Sequence, residues 1–97
     1  MDKHDLEMAY RWLRESYEGN FSIEARILDI VDAGYDFNVF YRKKNVFAQA
    51  EKTDRSKTFT SFNVGCKRIE TVYECLVQAF EYEIAQAGIV AKEANNK

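Results

Sequence analysis

Ninety-seven residues, 46% hydrophobic and 31% charged with four glycines and no proline, make one domain's length of chain, enough to bury a single core. That composition excludes collagen-like, proline-rich and low-complexity disordered proteins. A formal charge of −2 argues against a generally basic nucleic-acid coat, while leaving local patches open.

From Asp5 to Glu18 the apolar residues Leu6, Tyr10, Leu13 and Tyr17 recur at steps of three and four, with Met8 and Trp12 widening the stripe, which predicts a first helix. Gly19 and Asn20 supply its stop, and Ser22 offers an oxygen to the free amides of a second helix. The buried stripe of that helix is Ile23, Ile27, Ile30 and Val31, with Phe21 packing back on Ala25 or Arg26 and Gly34 ending it. Beyond Gly34 the period falls to two, and β-branched and aromatic residues predict strands at Tyr35 to Lys43, Val46 to Lys52 and Lys57 to Val64. Lys44 and Asn45 form the first turn, and Thr53, Asp54, Arg55 and Ser56 the second, so the strands make an antiparallel meander. A last helix carries Ile69, Val72, Tyr73, Leu76, Val77, Phe80 and Ile84 on one face, opposed by Glu70, Glu74, Glu81 and Glu83, and ends at Gly88. The expected architecture is a single α+β domain over residues 1–91, its last helix packed on the sheet, with a disordered polar tail at 92–97.

Alternation places Phe37, Val39, Tyr41, Val46, Ala48, Ala50, Phe62 and Val64 on the core face of the sheet. The other face then collects Phe40, Phe47 and Phe59 among Asn38, Arg42, Gln49, Ser61 and Asn63. So much apolar surface needs a cover: the first or second helix, the same face of a second copy, or a ligand that stacks on it. Charge is segregated as well. Arg42 to Arg68 holds eight basic residues against two acidic ones, so this segment carries +6 and the rest of the chain −8. Such a molecule is electrically two-sided, with basic sheet loops and acidic helices; lysines at a sheet edge also guard against aggregation.

Val64, Gly65, Cys66, Lys67 and Arg68 lead a strand through glycine into a helix with a basic first turn, a pattern that can hold an anion. It lacks the second glycine and following serine or threonine of a phosphate-binding loop for nucleotide hydrolysis. Cys66 is the thiol better placed for reactivity, whereas Cys75 falls beside a buried stripe. No base accompanies Cys66, since the one histidine, His4, lies near the terminus, and the cysteine spacing fits no structural zinc site. Asp29, Asp32 and Asp36 resemble a carboxylate cluster, but Asp29 and Asp32 fall on the exposed side of the second helix and Asp36 lies past its end, so they read as solvated surface. No catalytic arrangement, metal site or cofactor cradle emerges, so a binding protein is expected. Two cysteines are too few for a disulfide scaffold, and Met1, Asp2, Lys3, His4 and Asp5 are not the apolar opening of a secretory signal, which makes the cytoplasm the expected location. No membrane span is expected.

The order helix, helix, three short strands and long helix, with Thr71, Glu74, Cys75 and Ala79 in the last helix, resembles small phage-encoded proteins, namely the phage α/β/α sandwich domains and several anti-CRISPR proteins. That resemblance implies a non-enzymatic inhibitor that occludes a host defence factor or sequesters a signalling molecule. The order helix, three strands, helix also resembles the double-stranded RNA-binding domain, but only Lys67 and Arg68 stand where that family places several lysines, and Glu70 and Glu74 follow. The candidate binding residues are Phe40, Arg42, Phe47, Phe59, Lys57, Gly65, Lys67 and Arg68. The expected partner is a host protein, with a nucleotide signal or single-stranded nucleic acid as the alternative ligand and a homodimer through the aromatic face.

Overall fold

The computed structural model describes residues 1–17, 22–65 and 67–95. Its elements are α1 (Lys3–Tyr17), α2 (Ile23–Asp32), β1 (Tyr35–Arg42), β2 (Asn45–Lys52), β3 (Thr58–Val64) and α3 (Arg68–Asn95), an α+β fold in the expected order. The expected Gly19–Asn20 stop, the Phe21 staple and Cys66 lie outside the described residues.

Local chemistry accounts for most boundaries. The Asp2 carboxylate accepts the Asp5 N–H at 2.8 Å and caps α1, a role the periodicity did not reveal. Ser22 precedes α2 with extended backbone, φ −74° and ψ 124°, but its hydroxyl makes no cap bond, contrary to expectation. Gly34 has φ +101° and its N–H bonds the Val31 carbonyl at 3.0 Å, so α2 ends on a backbone shape that glycine adopts freely.

The strands form one antiparallel sheet in the order β1-β2-β3. The first turn is Lys43–Lys44, one residue earlier than expected, because Asn45 pairs with Arg42 and belongs to β2. Positive φ therefore falls on Lys43, at 57°, and in the second turn on Arg55, at 63°. Both positions suit glycine or asparagine, and each holds a cation at a conformational cost. Replacing Lys43 by glycine is expected to raise the unfolding free energy by about 0.5–1 kcal/mol. A lower urea midpoint for Lys43→Gly would refute that strain. In the second turn, side-chain and backbone hydrogen bonds from Ser56 hold the Asp54 carboxyl below its ordinary value.

The layers follow from which sides are small. Ala48 and Ala50 on β2 are fully buried, and α3 lies across β2 and β3 on this side. α2 lies on β1, and α1 closes the structure by packing on α3 and α2. Leu6, Ala9 and Leu13 of α1 meet Ile30, Tyr35, Val72, Cys75, Leu76, Ala79 and Phe80 in one core. Apolar burial of this kind stabilises by about 25 cal/mol per Å². The Tyr10 hydroxyl donates to Glu81 at 2.6 Å, and burial with that bond pushes Tyr10 up to about 12. Tyr10 thus favours its protonated form in the fold; that contribution is complete below the ordinary value of about 10 and is lost as pH rises toward 12.

Two expectations about α3 fail. The helix does not stop at Gly88 but passes through it and continues to Asn95. One glycine costs about 1 kcal/mol relative to alanine, which the good helix formers around it, Ala85, Ala87 and Ala91, offset. Ile69 is exposed rather than part of the buried stripe, which runs through Val72, Leu76 and Phe80. Among the described residues, no helix is long and apolar enough to cross a membrane.

Candidate functional site

Strand register decides what the open face of the sheet carries. Phe40 pairs with Phe47, and Phe47 with Phe62, so one phenylalanine from each strand stands in a row across the sheet. The rings stack: Phe40 and Phe47 have centroids 5.1 Å apart at 6°, and Phe47 and Phe62 are 5.6 Å apart at 22°. Each face of Phe47 is thus turned to a neighbour, while Phe40 and Phe62 remain 43% and 59% exposed. Neither α2 nor α3 covers this row, because both pack on the opposite side of the sheet. The expected cover by a helix is therefore absent among the described residues.

The third member of the row corrects the sequence reading. Ala50 pairs with Phe59 and Ala48 with Ser61, so Phe59, Ser61 and Asn63 share the helix-facing side, and Phe62 and Val64 the open one. Four residues in the second turn, closed by the Lys52 N–H to Lys57 carbonyl bond at 2.9 Å, fix that register. The polar residues placed inward find partners there. The Gln78 amide donates to the Ser61 hydroxyl at 2.8 Å, and the Asn63 amide donates to the Thr71 hydroxyl at 2.7 Å. Phe59 instead packs at a tilt on Tyr82, with centroids 5.5 Å apart. Lys57 stands over both rings, 5.6 Å from Phe59 and 5.4 Å from Tyr82, so Phe59 and Lys57 belong to the helix side and not to the aromatic row.

Basic groups gather at one end of the open face. Arg42, Asn45 and Val64 form the next row beyond the phenylalanines, and the Lys43–Lys44 turn projects past it. The Gly65 N–H donates to the Lys44 carbonyl at 2.6 Å, which ties the hairpin tip to the segment leading into Lys67 and Arg68. Gly65 has φ +86°, and a Cβ there would meet no atom within 4 Å, so backbone shape rather than space calls for glycine. Arg42, Lys43, Lys44, Lys67 and Arg68 are all exposed and form a cationic rim at this end of the sheet, with Arg42 on the open face and Arg68 at the start of α3. At the far end, Asp36 and Glu51 face the same side, and Thr58 donates to Glu51 at 3.2 Å. The face is therefore apolar at its centre, basic at one end and acidic at the other.

The other candidate groups are engaged in structure. The Lys67 carbonyl accepts both the N–H and the hydroxyl of Thr71, and Glu70 occupies the first turn of α3, where it already complements the helix dipole. Burial pushes the Cys75 thiol up to about 12, which keeps it protonated and inert at neutral pH. Asp29 pairs with Arg26 at 2.9 Å, so it is held against α1 through the Arg26 stack on Trp12 and is not free helix surface. Lys52 bridges Glu83 at 3.3 Å beneath Tyr35, whose hydroxyl is raised by burial and then by the Glu83 charge. Among the described residues, no group of three or more histidine, cysteine or acidic residues could hold a metal ion.

No family model matches the chain, and neither curated proteins nor solved structures show a similar one.

Proposed function

We propose that this chain is a non-enzymatic binding protein whose open sheet face holds single-stranded nucleic acid. The observation that carries this reading is the stacked row Phe40, Phe47 and Phe62 lying one residue pair from the cationic rim. Bases stack on aromatic rings with little regard to sequence, and lysine or arginine alongside neutralises the phosphates. Because both faces of Phe47 are occupied, the bases extend the row from the outer faces of Phe40 and Phe62. The cation held at positive φ at the rim, Lys43, supports the reading, since that charge stands where glycine would relax the backbone.

Titration of labelled oligonucleotides tests it. Neutralising three to five phosphates predicts a log–log salt slope of about −2 to −3.5 for a single strand. Phe62→Ala is expected to weaken binding by about 1–3 kcal/mol per stacked base. Lys43→Ala combined with Lys67→Ala should flatten the salt slope. An absence of binding at low salt, or binding indifferent to these changes, overturns the proposal.

A second reading is favoured by the charge segregation: on α2 and α3 the acids Glu24, Asp29, Asp32, Glu70, Glu74, Glu81 and Glu83 outnumber Arg26 and Arg68, whereas α1 balances Asp5, Glu7 and Glu15 with Lys3, Arg11 and Arg14. On this reading the chain is a phage-encoded cytoplasmic inhibitor whose acidic helical side occludes a basic host defence factor. Affinity capture that loses its partner with glutamates of α3 changed to glutamine, and not with Phe62→Ala, would select it.

A further inference from the structure

The hydrogen-bond ladder shows which backbone groups the sheet leaves over. Lys52 bonds Lys57 and Lys44 bonds Gly65, so the even-numbered residues of β2 serve β3 and its odd-numbered residues serve β1. β1 answers with Asp36, Asn38, Phe40 and Arg42. The N–H and C=O groups of Tyr35, Phe37, Val39 and Tyr41 therefore point away from β2, to an edge where no strand lies among the described residues.

We propose that this edge pairs with the β1 edge of a second copy, antiparallel about a two-fold axis at Val39. In that register Val39 meets Val39, Phe37 meets Tyr41, and Asp36 of each copy meets Arg42 of the other, twice over. The charge pattern is thus self-complementary in the one way a two-fold axis requires. The odd-numbered pairs exchange about six backbone hydrogen bonds, and Asp36 and Arg42 fall at a non-hydrogen-bonded pair, where side chains approach most closely. On the helix side the pairing covers Tyr41, which is 58% exposed. Below it lies α2, packed on β1 with Leu28 65% exposed and Val31 also exposed, so apolar helix flanks accompany the paired strands. The β3 edge lacks this match. It holds no charged residue, and Lys57 at one end with Lys67 and Arg68 past the other would bring cation to cation in any antiparallel self-pairing. The product is a six-stranded sheet with both aromatic rows on one face.

Sedimentation of the full chain should give twice the 11.3 kDa chain mass at micromolar concentration. Asp36→Arg alone and Arg42→Asp alone each place like charges opposite one another and should raise the dissociation constant at least about tenfold, while the double exchange restores it. Thr60→Lys on the β3 edge should leave it unchanged. Amide exchange at Phe37, Val39 and Tyr41 should slow with rising protein concentration, a readout in the unaltered chain that survives if a charge variant fails to fold. A monomer at all concentrations, a dimer indifferent to the charge exchange, or one lost with Thr60→Lys overturns the proposal.

Discussion

Leu76→Ala is expected to lower the unfolding free energy by about 2–5 kcal/mol. Leu76 is fully buried, one turn from Val72 and from Phe80 on the face of α3 that meets the core. Truncation removes transfer free energy and leaves a cavity between elements fixed on either side, so collapse can recover only part of the loss. Against a total of about 5–15 kcal/mol for a domain, that share is large. Urea unfolding of Leu76→Ala beside Ile69→Ala provides the contrast, since the exposed Ile69 should change stability by less than about 0.5 kcal/mol. Equal midpoints would remove Leu76 from the core.

Enlarging Ala48 is expected to be nearly as damaging. Ala48 is fully buried at the centre of β2, opposite Val39 on one side and Ser61 on the other. With Ala50 and Ser61 it forms the low ground on which α3 rests. Ala48→Leu adds volume where neither the helix nor the strand can yield, at a cost of about 1–3 kcal/mol. Gln49→Leu, on the open face of the same strand, serves as the control. If the two changes have equal effects on thermal melting, close approach of α3 is not what requires a small residue at position 48.

The element order was legible because three kinds of signal agreed: helical stripes, alternation from Tyr35 onward, and glycine after α2. The faces of β1 and β2 were legible for the same reason, since Val46, Ala48 and Ala50 alternate cleanly with Phe47 and Gln49. β3 was not. Phe59 and Phe62 are three apart, so each face of that strand receives one phenylalanine whichever parity is chosen, and apolar content cannot decide between them. What decides is the length of the Thr53–Ser56 turn together with acceptors and donors on α3, Gln78 for Ser61 and Thr71 for Asn63, which no periodicity displays. The candidate site inherits that ambiguity: Phe40, Phe47 and the cations at 42, 67 and 68 stand where the sequence placed them, while Phe62 replaces Phe59 and leaves Lys57 behind. The Lys43–Lys44 contribution is hidden in the sequence because asparagine tolerates positive φ and so points the turn to Lys44 and Asn45, whereas the chain places lysine at that position.

The Tyr10 to Glu81 hydrogen bond joins residues 71 positions apart, and α1 finds much of its burial on α3. A ribosome adding about 5–20 residues per second needs roughly 3–13 s to travel from Leu13 to Phe80. Throughout that interval Leu6, Ala9 and Leu13 have no third helix to lie against, although both hairpins of the sheet can already close. Chaperone capture of the nascent chain should therefore centre on α1 and end only when α3 clears the exit tunnel.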